Sequence, residues 1–93
     1  MIVGLLRVEL RIGDSESLKD KRQALRSLKD RLRHAFNISI AETADQNLWQ
    51  RAELGIACVG TETTGVNRVL NLVVEEIERD RHVELSDYHI EIL

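Results

Sequence analysis

A chain of 93 residues, 43% hydrophobic and 31% charged, has the makeup of one folded domain, residues 1–93, with room for a single core. That balance excludes a disordered chain, and no apolar run is long enough to cross a bilayer, so no membrane partner is expected. The net charge of −3 excludes a generally basic protein, yet Leu18 to Arg33 holds seven cations against two aspartates, so any affinity for anions belongs on that segment.

Residues 2–12 alternate. Ile2, Leu6, Val8, Leu10 and Ile12, with Gly4, point one way; Val3, Leu5, Arg7, Glu9 and Arg11 point the other. This is a half-buried strand with even positions inward, and it marks the N-terminus as a strand, not a cleavable leader. Gly13 to Glu16 is a turn. Ser17 stands three residues before Asp20, close to a capping box with Asp in place of Glu or Gln.

From Leu18 the period becomes helical, with Leu18, Leu25, Leu28, Leu32 and Ala35 on one face. Phe36 to Thr43 alternates again, with Phe36, Ile38 and Ile40 on one side. A polar connection, Ala44 to Arg51, carries Leu48 and Trp49. Ala52 to Gly60 is a third strand with Leu54, Ile56 and Cys58 inward. Thr61 to Gly65 begins a second helix whose stripe is Val66, Val69, Leu70, Val73, Val74 and Ile77. The last segment alternates through Tyr88, Ile90 and Ile92.

The order β-α-β-β-α-β, with right-handed crossovers and one hairpin, predicts an α+β ferredoxin-like fold. Its four-stranded antiparallel sheet has order 4-1-3-2, with two helices on one face. One apolar side per strand agrees with a single covered face.

Several chemistries lack the residues they need. One cysteine, Cys58, cannot form an internal disulfide or a two-thiolate metal loop, and it fits a reducing cytoplasm. His34, His82 and His89 are scattered, so no metal site is expected. No glycine-rich loop precedes a lysine at phosphate-binding spacing, so no nucleotide cofactor is expected. The outward positions of the first and third strands carry no aromatic residue, which argues against base stacking on an open sheet. No nucleophile–base set stands out, and the chain reads as a binding protein, not an enzyme.

Three features remain. At about 100° per residue, Lys19, Arg22, Arg26, Lys29 and Arg33 fall within roughly 80° of one another beside the leucine face. Such a stripe suits a phosphate backbone, although it also suits a solvated flank whose long stems shield the core edge. Lys21 falls on the leucine face itself, and Glu42 occupies a helix-facing strand position. A structural ion pair between them would satisfy two awkward charges. The outer sheet face carries Val3, Leu5, Ala41, Ala57 and Val59, with Ser39 and Gly55, which points to a partner or a second copy. Trp49 either caps the sheet edge or anchors that partner.

The segments Ser17-Leu18-Lys19-Asp20-Lys21-Arg22, Phe36-Asn37-Ile38-Ser39-Ile40-Ala41-Glu42 and Asp45…Trp49…Ala52-Glu53-Leu54-Gly55-Ile56-Ala57 together resemble the YlxP-like family of small bacterial proteins. The resemblance implies a ferredoxin-like fold and a bacterial cytoplasmic protein. It also implies, by gene neighbourhood alone, a role near RNA or ribosome maturation. The first expectation is therefore a non-enzymatic protein that binds RNA or a ribosomal particle through Lys19, Arg22, Arg26, Lys29 and Arg33. The alternative is a homodimeric interaction module using Val3, Leu5, Trp49, Ala57 and Val59.

Overall fold

The computed structural model describes residues 1–93. Its elements are β1 (Ile2–Arg11), α1 (Leu18–Ala35), β2 (Ser39–Ala44), β3 (Arg51–Gly60), α2 (Thr63–Glu78) and β4 (Glu84–Ile92). The strands form one sheet in the order β2-β3-β1-β4, with every neighbouring pair antiparallel. This is the ferredoxin-like sheet, read from its other edge.

The alternation of β1 decides which face is covered. Leu6, Val8 and Leu10 are buried, as are Leu54, Ile56 and Cys58 on β3, and the helices supply Leu25, Leu28 and Leu32 from α1 and Val66, Leu70, Val73, Val74 and Ile77 from α2. They belong to one continuous cluster of 18 buried apolar residues. Each fully buried large side chain stabilises the fold by about 1.5–3 kcal/mol relative to exposure. The cluster lies between sheet and helices, which leaves the opposite sheet face open.

Two glycines let α2 settle against the sheet. A Cβ at Gly4 would stand 2.5 Å from Val66 Cγ1 and 2.8 Å from Leu70 Cδ1, and one at Gly60 would stand 2.8 Å from Val66 Cγ2. The first turn of α2 therefore packs directly on backbone, a close approach that any larger residue would wedge apart.

The start of α1 uses a modified capping box. Ser17 Oγ accepts from the Asp20 amide at 3.1 Å, while Asp20 Oδ2 accepts from the Glu16 amide at 3.0 Å. The return bond thus lands one residue earlier than in the usual box. At the other end Ala35 is exposed, not part of the buried leucine face. The neighbouring Phe36 has left the helix (φ −135°, ψ 147°) and packs partly buried against the core.

β2 pairs with β3 only from Ser39, three residues later than alternation implies, because Phe36 to Ile38 turn the chain out of α1. Tyr88 is opposite the buried Val8 but 47% exposed. It lies on an edge strand, where one side of the ring has no neighbouring strand.

Candidate nucleic-acid interface

Lys19, Arg22, Arg26 and Arg33 are exposed and Lys29 is half-buried. Four of these five, Arg22, Arg26, Lys29 and Arg33, line a groove of about 380 Å³ between α1 and β2; Lys19 lies outside it. From Arg22 to Arg33 the helix rises about 16 Å, the span of several phosphates. Arg33 has additional ties. Its Nη2 donates to the Ile40 carbonyl at 3.0 Å, and its Nη1 lies 3.7 Å from Asp30 Oδ1. The first contact covers part of the β2 edge, a common way to blunt an open strand.

Glu42 also lines the groove and would oppose a bound phosphate. Its Oε2 lies 2.8 Å from Lys21 Nζ, which rises from the leucine face and is only 1% exposed. The contact is an ion pair by distance but lacks the angular alignment of a hydrogen bond, leaving that oxygen without a hydrogen-bond donor. The lysine directs its hydrogen bond to the Asp45 carbonyl, at 2.5 Å. With Lys21 balancing Glu42 and Asp30 facing Arg33, the groove keeps a positive excess. Arg31 faces elsewhere and bonds Asp80.

The outer sheet face is banded, not uniformly smooth. Val3 pairs with Val59 and Leu5 with Ala57, and these four residues form an apolar end where Leu5 is 38% and Val59 59% exposed. A shallow concavity of about 370 Å³ adjoins it, floored by Gly55 and Ala57 and flanked by Ala41 and Arg7. Further along the strands Glu9 is opposite both Glu53 and Asp87, which makes an acidic band. Arg7 approaches Glu53 at 3.8 Å. Beyond that band Arg11 is opposite Arg51, and next to them stands Trp49, 54% exposed. Trp49 is therefore at the far end from Val3, Leu5, Ala57 and Val59, and the five do not make one patch. In sequence Arg11 reads as an ordinary outward strand residue and Arg51 as the end of the polar connection, whereas Arg51 opens β3. Counting the antiparallel β1–β3 register from the pair Leu6 and Ile56 brings them together.

Cys58 is 5% exposed, and burial pushes its thiol above the ordinary range, an inert setting for a nucleophile or metal ligand. No group of three or more His, Cys, Asp or Glu residues is placed to hold a metal ion. No helix is long and apolar enough to cross a membrane.

Residues 3–90 match the family model described as Protein of unknown function (DUF503). The chain belongs to this family. A relative, "Uncharacterized protein YlxP" of Bacillus subtilis (strain 168), is 34% identical over 83 residues, covering 89% of this chain and 90% of its own. The family match thus reaches from the first strand to the last and includes the α1 groove, Lys21, Glu42 and Trp49. Among solved structures, the "De novo designed protein Foldit4" superposes with a TM-score of 0.54 at 10% identity, over 98% of this chain and 96% of that one. At that identity the likeness concerns the fold alone.

Proposed function

We propose that this protein is a non-enzymatic binding protein that takes the phosphate backbone of RNA, in the setting of a ribosomal particle, along the α1–β2 groove. One observation carries the reading: Arg22, Arg26, Lys29 and Arg33 share a groove whose two carboxylates, Asp30 and Glu42, stand beside Arg33 and the buried Lys21 respectively. On a chain of net charge −3 this positive stripe concentrates anion affinity along α1, which favours an oriented contact over general adhesion. The cations contact phosphates and read no bases. Gene neighbourhood in the YlxP-like family supports the ribosomal setting by association.

The test is co-sedimentation with separated ribosomal subunits over a salt series, using the wild-type chain and an R22E/R26E/K29E variant. The reading requires binding that weakens steeply with salt and is lost in the variant. Binding that survives the reversal removes α1 from the account.

A second reading rests on the apolar end of the outer face. Val3, Leu5, Ala57 and Val59 expose contiguous aliphatic surface that a second copy would cover. Leu5→Glu should then convert a dimer to a monomer in sedimentation velocity while the circular dichroism spectrum is unchanged. A wild-type chain that stays monomeric throughout the concentration series contradicts this reading.

A further inference from the structure

The β2–β3 connection is firmly built, yet it offers its two large apolar side chains to water. Lys21 Nζ and the Leu48 amide both donate to the Asp45 carbonyl, where Asp45 itself holds a left-handed backbone (φ 62°). Gln50 Nε2 donates to the Ser15 carbonyl at 3.1 Å, and the Ile12 amide donates to the Gln50 carbonyl at 2.9 Å. A loop held by four such bonds has its shape fixed before any ligand arrives. Even so, Leu48 is 45% and Trp49 54% exposed. Core packing therefore does not account for the indole.

Its neighbours have an equally unusual arrangement. Arg11 and Arg51 face each other across β1 and β3, a placement that costs stability for like charges. Neither takes part in any ion pair of the fold, although Glu84 is opposite Arg11 on β4. Together with Trp49 they line a groove of about 530 Å³, within the size range of small-molecule clefts. A flat π-surface beside two unpaired guanidinium groups suits a ligand with a π-face and a negative charge, which is the makeup of a nucleotide. The acidic band of Glu9, Glu53 and Asp87 borders the site along the strands and would repel phosphate from the sheet face, confining the ligand to the tip.

We infer that Trp49 stacks one unpaired base of a single-stranded RNA segment while Arg11 and Arg51 hold the adjoining phosphate. This rests on the RNA reading above and adds to it a contact that only single strands can make. The buried Lys21 ties the first turn of α1 to Asp45 at the root of the loop, which sets the two surfaces in fixed relation. A backbone following the α1 groove toward the helix N-terminus would run toward the root of the loop that carries Trp49.

Trp49 is the only tryptophan, so its fluorescence reports this site alone. The full chain is titrated with a short oligouridylate, a blunt RNA duplex, inorganic polyphosphate and a polyglutamate peptide. Anisotropy of the labelled RNAs gives affinities for the wild type, W49A, W49F and the R22E/R26E/K29E variant, with circular dichroism confirming that each is folded. The expected result is quenching by oligouridylate but not by polyphosphate, and single-strand affinity weakened roughly 5–150-fold in W49A. W49F should keep most of that affinity, and duplex binding should be unchanged in W49A. Single-strand binding without quenching, or equal in W49A, overturns the stacking site, while loss of both RNAs on α1 reversal would leave the RNA reading standing. Absence of binding to either RNA overturns both. Quenching by polyglutamate but not by oligouridylate assigns the tip to an acidic protein partner and overturns the stacking site.

Discussion

Lys21 shows how one side chain serves both stability and surface chemistry. Its stem packs among the leucines of α1, its ammonium lies 2.8 Å from Glu42 Oε2, and its hydrogen bond goes to the Asp45 carbonyl. Removing the ammonium leaves a carboxylate without its counterion and a backbone acceptor that keeps only the Leu48 amide. Lys21→Met should therefore destabilise the fold by about 2–3 kcal/mol in urea unfolding. The cost stays near the lower end for a broken charge pair because the Glu42 side chain is 21% exposed and reaches water. A double K21M/E42Q variant should recover part of the loss. A Lys21→Met variant as stable as wild type would show that the pair holds nothing. By periodicity alone Lys21 falls on the leucine face and Glu42 on a helix-facing strand position. The Asp45 contact is hidden from such patterns, because it depends on a left-handed residue in a loop with no period.

Among the elements, α1 joins two parts of the domain through opposite flanks. One flank forms the groove with β2. On the other, Arg31 Nη2 donates to Asp80 Oδ2 at 2.8 Å, and Asp80 Oδ1 accepts the amides of His82 at 2.7 Å and Val83 at 3.0 Å. Burial raises the Asp80 carboxyl, but the His82 amide, the Arg31 guanidinium and the Val83 amide together outweigh it and hold the group below its usual range. A carboxyl lowered in the folded state contributes stability that is complete above its unfolded value, near pH 4, and is lost as pH falls through the lowered folded value. Asp80→Asn should cost about 1–3 kcal/mol at pH 7, and the gap between wild type and variant should close below pH 4. A gap that is constant with pH would mean the charge is irrelevant to this junction.

The same scale shows where sequence patterns reach. Long alternation in β1 and β3 and the helical stripes of α1 and α2 identify these elements, because each buries one face against a common core. The start of β2 is less visible. Phe36 and Ile38 carry the apolar alternation of a strand, yet they serve as helix exit and core plug before pairing begins at Ser39. Hydrophobic period records burial, not ladder pairing.

For the whole molecule, charge is sorted by surface: cations along the α1 groove, carboxylates across the middle of the outer face, and an arginine pair with Trp49 at the hairpin tip. The stripe on α1 is legible in sequence because helical geometry alone aligns it. The banding of the sheet is not, since it depends on which residues of β1, β3 and β4 are opposite one another, and these strands are joined through helices, with an irregularity between Glu9 and Leu10 shifting the β4 register. The separation of Trp49 from Leu5 and Val59 follows from the same register.

The most direct test of the central claim is the affinity of the full chain for an RNA oligomer measured over a series of salt concentrations. If Arg22, Arg26, Lys29 and Arg33 each neutralise a phosphate, log K should fall against log salt with a slope of about −3. The R22E/R26E/K29E variant should lose most of that slope along with the binding. A slope near zero, or one left unchanged by the reversal, would contradict the claim that the α1–β2 groove is where this protein meets RNA.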